Sequence, residues 1–146
     1  MISRMHMYAL AFLVCALTIS ASAKTSGWGI GAGFFEGDFG LQGRKDFALS
    51  QKGVSEISLQ GSVYFHYRTT FRFDADYHHI LTPGESLRVY PLGGLQFAVN
   101  SRNNRFGLNL GAGMNFDISE QLEGFVELKY TFGDWDGFGI AAGVRF

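Results

Sequence analysis

The feature that most restricts this chain is the alternation of its last forty residues. Phe106, Leu108, Leu110, Ala112, Met114, Phe116 and Ile118 are all apolar, and the residues between them are Gly107, Asn109, Gly111, Gly113, Asn115 and Asp117. A strand points successive side chains to opposite faces, so this stretch has one oily and one polar face. The pattern returns in Leu122, Gly124, Val126, Leu128, Tyr130 and Phe132, and again in Phe138, Ile140, Ala142, Val144 and Phe146. Runs of about ten residues separated by turn residues have the length of a strand that crosses a bilayer.

The upstream chain carries the same pattern. Trp28, Ile30, Ala32 and Phe34 alternate with glycines and predict strand one, followed by a turn at Glu36-Gly37-Asp38. Strand two is the least regular: Phe39, Leu41, Phe47 and Leu49 share a face with Lys45, which either snorkels to a headgroup or marks a break. Strand three (Ile57 to Tyr67) and strand four (Phe71 to Leu81) are clear, and Thr82-Pro83-Gly84-Glu85 is a turn. Strand five (Leu87 to Val99) contains Pro91, which cannot donate to a ladder, so a bulge is expected there. The count is eight strands joined by short connections. The fold expected is therefore all-β: an eight-stranded antiparallel up-and-down transmembrane β-barrel. Closure leaves no unpaired edge in lipid.

Residues 1–23 read differently. Arg4, the apolar run from Tyr8 to Ile19 and the small residues Ala21-Ser22-Ala23 are the parts of a cleavable signal-peptide helix, with Ala21 and Ala23 flanking the cleavage signal. The apolar run is short of the roughly 20 residues of a spanning helix. Residues 24–146 are then the barrel domain. The one cysteine, Cys15, lies in the leader, so neither a disulfide nor thiol chemistry is expected in the barrel. With 12 Lys+Arg against 13 Asp+Glu, the chain lacks the basic excess of a nucleic-acid binder.

The same alternation would suit a soluble, lipocalin-like lipid-binding barrel with its apolar face inward. The polar face decides against that. It is rich in glycine and holds seven cations (Arg44, Arg68, Arg72, Arg88, Arg105, Lys129, Arg145) and seven anions (Asp46, Glu56, Asp74, Asp76, Asp117, Glu123, Glu127). Small residues and balanced charges suit a crowded lumen. Aromatics near the ends of the other face, Trp28, Tyr67, Phe71, Phe106, Phe116, Phe132, Phe138 and Phe146, suit interfacial girdles.

Leu110-Gly111-Ala112-Gly113-Met114-Asn115-Phe116, Glu127-Leu128-Lys129-Tyr130 and Gly143-Val144-Arg145-Phe146 resemble the small outer-membrane β-barrel proteins of Gram-negative bacteria, of the OmpA-transmembrane-domain and opacity-protein type. The pattern of the resemblance covers residues 24–146, its motifs about the last forty. It implies an outer-membrane location, contact with outer-membrane lipid, and recognition of a terminal aromatic strand (Phe138, Ile140, Val144, Phe146) by the outer-membrane assembly machinery. It leaves the role open, because such barrels serve as adhesins, anchors or enzymes.

Residue chemistry narrows the role. The outward face offers one histidine, His79, and neither a serine nor an acid on its strand, so no lipid A-modifying triad is expected and the chain is read as a non-enzyme. His78 and His79 point to opposite faces, and His66 and His78 sit on different strands, so no metal site is expected. Asp134-Trp135-Asp136 supplies two carboxylates, short of the six to eight oxygens of a calcium site, and Trp135 is expected as an interfacial anchor. No cofactor is expected. The function expected is a monomeric membrane barrel with a structural or surface-interaction role and a lumen occluded by charges. A narrow channel for small solutes or ions is the alternative.

Overall fold

A computed structural model describes residues 27–146. The expected leader 1–23, with Ala21, Ala23 and Cys15, lies outside the described residues. Eight strands follow one another: β1 (Trp28–Phe35), β2 (Asp38–Ala48), β3 (Ser55–Phe65), β4 (Thr70–His79), β5 (Leu87–Val99), β6 (Asn104–Ser119), β7 (Leu122–Gly133) and β8 (Gly137–Arg145). Each pairs antiparallel with the next, and β8 pairs with β1 to close the barrel. Two backbone bonds complete the seam, Trp28 N–H to the Phe146 carbonyl at 2.9 Å and Phe146 N–H to the Trp28 carbonyl at 2.8 Å. A closed ladder pairs the strand backbones all round the wall, the condition for crossing hydrocarbon.

The interior is polar and the exterior apolar. Among the fully buried side chains are Arg44, His78, Gln96, Glu127, Asn115, Asp46 and Asp76, whereas Ile30, Leu110, Phe132 and Ile140 stand 58%, 63%, 52% and 44% exposed on the outside. This inverts the arrangement of a water-soluble protein, and so continuous an apolar surface needs lipid around it. It also overturns the lipocalin-like alternative, whose inside would be the apolar face. A few apolar side chains do face inward: Phe35, Phe125, and a cluster of Ile80, Tyr90 and Leu92.

One end of the barrel carries Gly27, Phe146 and the connections 49–54, 80–86 and 120–121; the other carries 36–37, 66–69, 100–103 and 134–136. Of the two connections of two residues, Glu36-Gly37 has both residues at positive φ (50° and 88°), the mirror-image geometry that matches strand twist. Glu36 is no glycine, and its carboxylate is held by the Phe138 amide on β8.

Pro91 is not the site of a bulge. It stays in register opposite Ala112 on β6. On its other side the β4 ladder stops at His78↔Leu92, and a single bond from Leu81 N–H to the Val89 carbonyl (2.9 Å) follows beyond it. The missing proline N–H thus interrupts one ladder without displacing the strand. The irregularity lies instead between Asp117 and Ser119, where β6 shifts register against β7. Lys45 lies within an unbroken β2. Its ammonium sits under the rings of Trp28 (4.8 Å) and Phe47 (6.0 Å) on the outer face, near the end that carries Gly27 and Phe146.

Candidate functional site

The inward side chains of β2 to β8 build a charged network along the bore. Alternation aims them there, and the closed wall brings distant strands face to face. Arg44 on β2 contacts Asp46 on its own strand at 3.0 Å and Glu127 on β7 at 2.6 Å. Glu127 also accepts from the Tyr90 hydroxyl (2.8 Å) and lies 3.7 Å from His78 Nε2. His78 stacks on Tyr90 and approaches Glu56 through Nδ1 at 3.1 Å. Arg145 on β8 reaches Asp46 (2.9 Å), Glu56 (3.3 Å) and Glu123.

A second group fills the other half of the bore. The Lys129 ammonium meets Asp76 at 2.6 Å and Gln60 at 3.0 Å. Arg72 holds Asp74 at 2.8 Å and donates to Asn109 and Thr131. Asn109 in turn donates to Asp74 (2.6 Å) and Asp76 (2.8 Å). Each cation here has its own acid, which offsets the cost of holding charge out of water.

Aromatic rings frame the network. Phe125 lies under the Arg44 guanidinium at 4.4 Å, and Phe35 under that of Arg72 at 4.6 Å. Phe125 fits because β1 and β8 present the glycine pair Gly31↔Gly143: a Cβ on either would stand within 3.0 Å of its ring.

Five residues expected in the lumen network lie at the two ends of the bore. Arg68 falls in the exposed connection between β3 and β4, past the end of the wall. Arg105 sits at the mouth of β6, over the Trp135 ring at 5.6 Å. Arg88, Asp117 and Glu123 form a rim cluster at the opposite end, with Arg88 contacting Asp117 at 2.7 Å and Glu123 at 2.9 Å, and Asp117 half exposed. Trp135 is not a lipid-facing anchor. It folds over the mouth against Phe35 (centroids 4.6 Å) and Tyr64 (5.8 Å), with Asp134 capping the Phe106 amide at 3.1 Å. His66 and His78 are far apart in role: His66 pairs with Asp38 at 2.8 Å in the mouth, and His78 is buried in the bore. Gln60, Tyr90, Asn109 and Thr131 belong to the network although charge alone did not point to them. Their inward register is the signal that could have.

Polar bore, apolar belt and closed eight-strand ladder together define a transmembrane β-barrel protein with the fold of the small bacterial outer-membrane barrels. Among solved structures, the chain is similar to the N-terminal β-barrel domain of Pseudomonas aeruginosa OprF, with a TM-score of 0.73 at 18% identity over 83% of this chain and 95% of that one. It is also similar to Neisserial surface protein A, NspA (TM-score 0.62, 12% identity, 82% and 92% covered). The attachment invasion locus protein Ail of Yersinia pestis is a third (TM-score 0.52, 14% identity, 83% and 95% covered). No family model matches the sequence, and neither does any curated protein.

Proposed function

We propose that this chain is an integral outer-membrane barrel with a plugged bore, acting as a structural or surface-interacting element and not as a pore. The observation that carries this reading is the Arg44–Glu127 bridge at 2.6 Å, which spans the lumen between strands that are not neighbours in the wall. Around it the bore is filled by paired charges and rings. The void between Phe35, Gln60, Arg72 and Lys129 measures about 20 Å³, room for about one water molecule and too little for a hydrated ion. An eight-strand barrel has a lumen just wide enough for side chains to fill. The names of two structural neighbours carry surface location or attachment, in keeping with a surface role.

Closure leaves no strand edge through which a second copy could extend the sheet, in keeping with a monomer in outer-membrane lipid. Its last strand, with Phe138, Ile140, Val144 and Phe146 on the lipid side, is the segment the assembly machinery engages. Planar-bilayer recording of the refolded protein tests the plugged bore. Little or no steady current is expected; a stable conductance would establish the narrow-channel alternative instead.

A further inference from the structure

The five cations in the bore and at its far rim, Arg44, Arg72, Arg88, Lys129 and Arg145, each meet a carboxylate at 2.6–2.9 Å. Lys45 does not. Among the described residues it is the one Asp, Glu, Lys or Arg at an outward position of a strand. Its ammonium has the Trp28 and Phe47 rings beside it and no carboxylate of the described residues within ion-pairing distance. The side chain is 6% exposed, so the wall and the two rings hold it in one place. A fixed charge on a lipid-facing wall is costly unless an opposite charge meets it.

The depth of Lys45 names the source of that charge. It pairs in register with Trp28, whose backbone closes the seam with Phe146 at the end of the wall. Aromatic residues at the ends of a barrel wall mark the headgroup level. Two residues from Lys45, toward the middle of the wall, Gly43 pairs with Gly61, both on the outer face. A Cβ on Gly43 would meet nothing within 4 Å. Ile30 flanks the pair on β1 and Phe73 on β4. With strands about 4.8 Å apart, these flanks stand roughly 14 Å from each other across two strands of bare backbone. The trough is thus wide enough for acyl chains and runs from a cation at headgroup depth into the apolar belt. A second copy of the barrel suits it poorly, because the outward strand positions of such a copy bring no acid to Lys45.

We propose that this part of the outer wall seats an anionic phospholipid, its phosphate on the Lys45 ammonium and an acyl chain along the Gly43–Gly61 trough. The proposal rests on the membrane-spanning fold and is independent of the plugged bore.

Trp28, 4.8 Å from the ammonium, reports on the seat. The chain has two tryptophans, so a Trp135→Phe background leaves Trp28 as the one emitter. The refolded protein is placed in bilayers of phosphatidylglycerol mixed with phosphatidylcholine, with bromine on the chains of one lipid or the other. The two quenching curves give the relative affinity of the lipids beside Trp28. A preference of roughly fivefold for phosphatidylglycerol is expected, what one lysine at a lipid surface supplies, and salt should reduce it. Lys45→Met should abolish the preference, and Gly43→Leu, which fills the trough from an open position, should weaken it. Lys52→Met, on the exposed connection at the same end, should leave it unchanged. Equal quenching by both lipids in the parent, an unchanged preference in Lys45→Met, or a loss in Lys52→Met as large as that in Lys45→Met overturns the headgroup seat. An unchanged preference in Gly43→Leu overturns the trough as the seat of the chain. Protection of Trp28 from both lipids that grows with protein density would put a second copy on this face and overturn the lipid assignment. Absence of quenching by either lipid at any density would instead overturn the membrane-spanning reading on which the proposal rests.

Discussion

Arg44 and Glu127 meet at 2.6 Å across the bore, although β1 and β8 lie between their strands in the wall. Both side chains are fully buried, so neither charge has water to fall back on. Removing one partner strands the other, at a cost of about 3–5 kcal/mol, whereas replacing a buried pair by apolar groups is often near neutral. Arg44→Met and Glu127→Met should therefore each destabilise the barrel by about that amount. The double variant should cost clearly less than the sum. Urea unfolding in detergent, followed by tryptophan emission, gives the cycle; simple additivity would show that the bridge carries no coupling.

The glycines of the wall are not equivalent. A Cβ on Gly143 would lie 2.1 Å from the Ile30 carbonyl oxygen and 2.7 Å from the Phe125 ring, whereas one on Gly43 meets nothing within 4 Å. Gly143→Ala is expected to lose about 1–3 kcal/mol or more by overpacking, because a backbone atom cannot step aside as a side chain can. Gly43→Ala is expected to fold as well as the parent. The fraction migrating as compact barrel on an unheated gel compares the two directly.

Trp28 and Trp135 are expected to answer a lipid quencher in opposite ways. Trp28 stands on the outer face beside Lys45, and Trp135 is packed over the bore against Phe35. In vesicles with brominated acyl chains, the Trp135→Phe variant should be strongly quenched and the Trp28→Phe variant little affected. Equal quenching of both would return Trp135 to the lipid interface.

Phe146→Ala separates anchoring from assembly. The Phe146 backbone bonds Trp28, and its side chain is 62% exposed on the outside, so alanine removes surface contact and leaves the seam intact. The variant should refold in detergent close to the parent and insert poorly in cells. Parental insertion levels in cells would reduce Phe146 to an interfacial aromatic.

The wall was legible because a barrel strand repeats its in–out alternation on every residue, and two-residue periodicity survives even at Lys45 and Pro91. Height along the axis leaves no such trace. Arg68 and Arg105 have the parity of lumen residues, yet one lies past the end of β3 and the other at the start of β6, so both belong to the mouth. Nor does alternation say which inward groups meet. Arg44 and Glu127 are 83 residues apart, and only closure of the ring makes them neighbours. The place of Trp135 is hidden in the sequence for a related reason: turn residues have no face, so its packing over Phe35 depends on the curvature of the whole mouth.

The seam between β1 and β8 makes the wall continuous, with Gly27 and Phe146 lying side by side at one end. Spatially the strands have no first and no last. Every ladder is between sequence neighbours except this one, and its register from Gly29↔Arg145 to Phe35↔Gly139 is as regular as the others. A short linker from Phe146 to Gly27 would turn residues 27–146 into a ring, and the ring can be reopened at the connection 49–54 without breaking a ladder. Such a circular permutant keeps every inward pair described above while exchanging which strand is made first and which closes the sheet.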